Sequence, residues 1–167
     1  QIQDSDFGPA VAAALSEAEE AIEAIASQDE PPNFANTIEA LELADSRLSA
    51  ILGAFYSLAG ADSNEEREAL SREFAPKLAA YHSALSANKR LFARIETVWR
   101  QRDSLDLTSE QSRVLMLCRR NFVRSGAKLE GADAKRLAEV VARLSVLGTT
   151  FTQNLLADER SWYLELA

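Results

Sequence analysis

Histidine and cysteine are almost missing from this 167-residue chain, which has one of each, His82 and Cys118. A lone cysteine excludes an internal disulfide and suits a reducing compartment. A hydrolytic zinc centre needs several His or Cys ligands around an activated water, and one of each cannot supply them. A helical di-iron site needs paired E-x-x-H motifs, yet the residue three before His82 is Ala79. Haem attachment through C-x-x-C-H is broken at Cys118-Arg119-Arg120. A glycine-rich phosphate loop and a G-x-S-x-G elbow are both absent. The expectation is that these residues include no catalytic, cofactor-binding or metal-binding set. His82 then reads as a surface or half-buried residue, Cys118 as a small core residue, and Trp99 and Trp162 as packing aromatics.

Glycine and proline are scarce as well, six and four in the whole chain, too little turn material for an all-β fold. No apolar run approaches the roughly 18 residues of a bilayer span. The first residues, QIQDSDFGPA, carry neither a basic region nor the apolar core of a signal peptide. Basic residues are outnumbered, giving a net charge of −8, and a phosphate backbone or anionic membrane would be repelled. The resulting expectations are a cytoplasmic protein, no nucleic-acid partner and no membrane partner.

What is plentiful is Ala, Leu, Glu and Arg, the strong helix formers, and apolar residues make up 47% of the chain, enough for a core. The fold class expected is all-α: a single domain over residues 1–167, about six helices in an antiparallel bundle, with long coiled-coil-like members. Phe7-Gly8-Pro9 reads as the entry to the first helix, with Pro9 in its first turn. Val11, Leu15, Ala18, Ile22 and Ile25 follow in steps of four and three and predict one buried stripe. Pro31 and Pro32 end that helix and fix an extended corner. Asn33 and Asn36 are both N-cap candidates for the second helix. Ile38, Leu41, Leu48, Leu52, Phe55 and Ala59 then recur at heptad spacing, interrupted only by Asp45.

Ser63 and Glu66 are spaced as a capping box for a third helix running to about Asn88, with Pro76 expected to kink it. The fourth helix should bury Leu91, Ile95 and Val98 or Trp99. Thr108 and Gln111 form a second capping box, opening a fifth helix that ends near Gly126. The last helix should begin near Asp133, with Leu137, Val140, Leu144, Leu147 and Phe151 in heptad steps. Basic residues crowd the fourth helix (Lys89, Arg90, Arg94, Arg100, Arg102) and stripe the fifth (Arg113, Arg120, Arg124, Lys128). They could face a carboxylate-bearing ligand or another domain, or be a solvated face paired with local Glu residues.

The order of segments adds a resemblance. EPPNFANTIEALELADSRLSAILGAFYSLAGADSNEE, then FAPKLAAYHSAL, LFARIETVWRQRDSLDLTSEQ, NFVRSGAKLEGADAKRL and LSVLGTTFTQNLLADE, resemble successive segments at the start of the M3 family of zinc metallopeptidases. That group includes thimet oligopeptidase, oligopeptidase A and the bacterial peptidyl-dipeptidases, and VWRQRDSLDL is more similar to the last of these. The resemblance covers about Phe7 to Trp162. It implies a longer parent whose H-E-x-x-H helix binds zinc, a catalytic domain absent from these residues. In such a parent this region would be an N-terminal channel wall that admits short peptides, with the parent's catalytic domain and short peptide substrates as partners. Alone it is expected to cleave nothing, to carry no zinc and to self-associate weakly. The alternative is a stand-alone helical binding module on the same scaffold.

Overall fold

The computed structural model describes residues 2–161, and no strand occurs among them. Six helices of thirteen residues or more account for most of this length: α1 (Asp4–Ser27), α3 (Ser46–Ala61), α4 (Glu65–Ala87), α5 (Lys89–Gln101), α6 (Ser109–Arg124) and α7 (Gly131–Ser161). A short α2 (Ala40–Leu43) follows a π-helical turn over Phe34–Glu39. The all-α expectation holds. The chain divides into two compact units, one ending at Ala127 and the other beginning at Lys128.

In the first unit α1 is the central helix, packing against α3, α4 and α5. Its expected stripe of Val11, Leu15, Ala18, Ile22 and Ile25 is buried throughout, joined by Phe7, Ala14 and Ala26. Burying each of the larger members contributes roughly 1.5–3 kcal/mol relative to exposure. Edge-on aromatic contacts tie three helices together: Phe55 lies 5.2 Å from Phe7 and 5.1 Å from Phe74, ring centre to ring centre. Phe92 of α5 stacks on Phe122 of α6 at 6.0 Å.

The first helix starts earlier than the Phe7-Gly8-Pro9 reading supposed. Asp6 accepts from the Gln3 backbone N–H at 2.9 Å, which closes a first turn three residues ahead of Phe7. Asp4 anchors that turn to α4, accepting from Arg67 Nε and Asn64 Nδ2, both at 2.8 Å. Pro9 therefore lies inside the helix. The carbonyl it leaves without a donor belongs to Ser5, an exposed residue where water can serve. Pro76 is likewise carried inside an unbroken α4.

The long second helix is not continuous. After Leu43 the chain turns at Ala44 and Asp45, and α3 begins afresh at Ser46. Ala44 N–H bonds to Leu41 at 3.3 Å in a tightened turn, and the Ser46 hydroxyl donates to the Leu43 carbonyl at 2.8 Å. Local side-chain bonds of this kind compete with the helical ladder. The seam survives the break, because Ile38, Leu48 and Phe55 are all buried. The π turn that precedes α2 coincides with the burial of two consecutive side chains, Thr37 and Ile38.

Caps explain most of the boundaries. Asn33 and Asn36 bond reciprocally, each backbone N–H to the other's side-chain oxygen, at 2.9 and 2.8 Å. Thr108 and Gln111 form the expected box at 2.9 and 3.2 Å. At α4 the cap is Asn64, which accepts from Arg67 N–H at 2.8 Å, and not Ser63, whose hydroxyl reaches Glu68 instead. The amide oxygen of Asn64 sits one residue closer to the first helical turn, displacing the Ser63–Glu66 pair. α6 ends close to Gly126, as expected, and the glycine's φ of +90° supports two bonds, Ala127 N–H to the Phe122 carbonyl and Gly126 N–H to the Val123 carbonyl.

In the second unit α7 opens at Gly131, with φ +56°, slightly before the expected Asp133.

Candidate functional site

No group of three or more His, Cys, Asp or Glu able to hold a metal occurs among the described residues. His82 is exposed with its ring against Tyr81, and Cys118 is buried on α6. Burial, followed by the Glu42 carboxylate, pushes the Cys118 thiol up to about 12, far from thiolate chemistry. Among the described residues, an exposed imidazole and a buried thiol do not make a donor set for zinc.

The basic side chains of α5 are largely absorbed inside the first unit. Arg94 is 8% exposed and donates from Nη1 to the carbonyls of Gln28 and Glu30 at 3.0 and 3.1 Å, and from Nη2 to Asn36 Oδ1 at 3.2 Å. It clamps the Pro31-Pro32 corner, while Gln28 Nε2 donates to the Asn36 carbonyl at 3.0 Å. Lys89 donates to the Ala127 carbonyl at 2.7 Å and Arg90 pairs with Glu23. Trp99, half-buried, is flanked by two guanidinium groups, Arg102 at 4.4 Å and Arg119 at 4.8 Å from its ring centre. Arg119 also bonds to Glu96 at 2.7 Å. The stripe on α6 is different: Arg113, Arg120 and Arg124 are exposed. Lys128 falls beyond the end of α6 and is not part of that helical face. Trp162 lies outside the described residues.

Two features remain open. The first is a cleft of about 290 Å³ between α2, α4 and α6, lined by Leu41, Glu42, Asp45, Tyr81, Leu85 and Phe122 among others. Tyr81 is 3% exposed and also lines a smaller depression with Glu19 and Glu23. Burial, then the carboxylates of Asp45 and Glu19, push its phenol up to about 12. A tyrosine at a core position carries no motif, so nothing in the sequence singles out Tyr81.

The second feature is the apolar face of α7. Val140, Leu144, Leu147 and Phe151, four of the five heptad positions, are exposed, Leu144 at 62% and Phe151 at 70%. Val141 and Leu155 widen the patch. Exposed apolar side chains at heptad spacing are the kind of surface that a partner can cover.

Comparison with known proteins gives these features a setting. No family model matches the chain. The chain is 34% identical over 161 residues to dipeptidyl carboxypeptidase of Escherichia coli K12, a match covering 96% of this chain and 24% of that protein. Identity and coverage are the same for dipeptidyl carboxypeptidase of Salmonella typhimurium. Against oligopeptidase A of Escherichia coli K12 identity is 24% over 154 residues, covering 92% of this chain and 23% of the relative. The chain thus spans about a quarter of the length of the curated relatives it matches. Along nearly its whole length the chain is similar to part of dipeptidyl carboxypeptidase and, at lower identity, to part of oligopeptidase A.

Proposed function

We infer that this chain is the N-terminal channel-wall domain of a zinc-dependent peptidyl-dipeptidase whose parent protein removes C-terminal dipeptides from short peptides. One observation carries the reading, the 34% identity sustained along 96% of the chain with dipeptidyl carboxypeptidase. In this reading the zinc ligands belong to the rest of the parent. The residues here bind no metal and alone cleave nothing. Their part is mechanical: a helical wall that restricts access by size, and a face that docks on the remaining chain.

The α7 stripe supports the docking role. Its occupant in this reading is the remainder of the parent chain, which the relatives possess and which these residues do not include. Covering one exposed Leu or Phe contributes roughly 1.5–3 kcal/mol, so a pair of charges on the stripe should undo the contact. In the parent protein, Leu144→Glu with Phe151→Glu is expected to release this domain after limited proteolysis of the junction and to lower peptide turnover. Unchanged association and turnover would count against the wall assignment.

A second reading, a stand-alone helical binding module on the same scaffold, draws on the exposed α6 arginines. Arg120→Glu with Arg124→Glu should then abolish capture of an acidic partner while leaving peptide hydrolysis by the parent untouched. Loss of hydrolysis with no change in capture would remove it.

A further inference from the structure

We propose that the Tyr81 cleft is a binding site for an aliphatic ammonium, supplied by a lysine side chain or by a free alkylamine. Three properties of the cleft point to that chemistry, and none depends on the peptidase reading.

Charge comes first. Glu42 and Asp45 stand on the cleft and Glu19 on the adjoining depression. Glu23 also stands there but already holds Arg90. Among the described residues, Glu19, Glu42 and Asp45 have no cationic side chain within ion-pair distance; the field of Asp45 and Glu19 reaches Tyr81, and that of Glu42 reaches Cys118. No Lys or Arg lines either depression. A cation is the missing partner.

The second property is the tyrosine itself. Tyr81 is buried among the core residues, yet its hydroxyl forms no hydrogen bond with any described residue. It is also not sealed, since Arg94 Nε is the buried side-chain atom left without a partner among the described residues. The hydroxyl is therefore not closed off from solvent, and Tyr81 lines both depressions. A buried phenol normally finds a partner, and this one is presented to whatever enters. Its oxygen can accept from an ammonium while the ring face adjoins the cation.

The third is the wall. Leu41, Leu85 and Phe122 line the same cleft and suit a four- or five-carbon stem whose charged head stays near the carboxylates. A metal ion would gain nothing from that wall. An anion would meet the carboxylates of Glu42 and Asp45.

The test is a titration of the 167-residue chain followed by amide NMR, using 1,5-diaminopentane, Nα-acetyl-lysine methylamide and the neutral control Nα-acetyl-norleucine methylamide. Saturable shifts are expected at residues 41–45, 81–86 and 118–125 for the two amines and not for the control. Binding of both amines assigns the site to lysine side chains and free amines alike, and binding of the diamine alone restricts it to free amines. Either supports the proposal. Glu42→Gln with Asp45→Asn should weaken binding roughly tenfold, as expected for losing charge-assisted bonds. Tyr81→Phe, which keeps the packing, should weaken it several-fold without altering the fold. The proposal is overturned if the norleucine control shifts the same residues equally. It is also overturned if amine shifts scatter over the acidic surface and persist unchanged in the Glu42→Gln, Asp45→Asn variant.

Discussion

Arg94 of α5 and Asn36 of the π turn, 58 positions apart in sequence, meet at 3.2 Å through Nη2 and Oδ1. The same Asn36 oxygen accepts from Asn33 N–H and from the Thr37 hydroxyl, so one amide organises the corner and the guanidinium holds it on the core. Among the described residues no carboxylate pairs with Arg94. Its charge is stabilised by two backbone carbonyls and the Asn36 amide. Arg94→Met should keep the packing but take the donor from the Gln28 and Glu30 carbonyls, at a cost of about 2–4 kcal/mol by urea denaturation. Asn36→Ala should cost about 1–2 kcal/mol for the lost cap. The two losses should be less than additive in a double-mutant cycle, by roughly 1 kcal/mol. Strict additivity would mean that the contact is not energetically coupled.

Two glycines should respond in opposite directions to the same change. Gly126 has φ +90° at the end of α6, where a Cβ is strained, so Gly126→Ala should destabilise by about 1 kcal/mol. Gly53 lies inside α3, and a Cβ there would meet nothing within 4 Å. Gly53→Ala should therefore stabilise by about 0.5–1 kcal/mol. Thermal melts of the two variants check both signs.

Stability should fall at alkaline pH. The Cys118 thiol titrates at about 12 when folded against 9.0 ordinarily, and Tyr81 moves in the same direction, from 10.0 to about 12. For both groups the unfolded chain loses its proton first. Their contribution is complete below the ordinary values and is lost as pH rises toward the folded ones. The urea midpoint should drop as pH rises from about 9 toward about 12, and Cys118→Ala should reduce part of that drop. Cys118 should also resist thiol reagents at neutral pH until the chain is unfolded.

Asp4 acts at the other end of the scale. Its hydrogen bonds from Asn64 and then Arg67 lower its pKa below the ordinary 3.8. Stability from this anchor is present above that ordinary value and is lost as pH falls through the lowered one. Asp4→Asn should flatten the acid limb of the stability profile, because it removes the titrating group.

The residues that pattern could place were those whose neighbours lie close in sequence. The α1 stripe, the Thr108–Gln111 box and the Gly126 stop depend on spacings of three to five, and all three appear where expected. The break at Ala44-Asp45 escaped because heptad spacing continues straight across it. The Ser63–Glu66 pair fits the capping-box pattern, whereas Asn64 wins on geometry and on its second bond to Asp4. Arg94 read as part of a basic helix face, since nothing local reveals that three distant oxygens await it. Tyr81 was invisible for the same reason: its significance comes from Glu19, Glu42 and Asp45, each on another element.

The exposed α7 stripe carries a consequence for these 167 residues by themselves. Heptad apolar faces left in water find each other, so sedimentation equilibrium should detect weak, concentration-dependent dimerisation. Leu144→Glu with Phe151→Glu should abolish it while leaving the unfolding transition of the first unit unchanged. A clean monomer at high concentration would show that the stripe does not self-pair.

The most direct measurement is made on the parent reading frame continued past Ala167. The purified product, supplied with zinc, is incubated with an N-terminally blocked oligopeptide and followed by mass spectrometry. Stepwise loss of C-terminal dipeptides, abolished by chelation and absent with residues 1–167 alone, is the result expected of a peptidyl-dipeptidase wall domain. A frame that lacks H-E-x-x-H, or a full-length product that leaves the peptide intact, would contradict it.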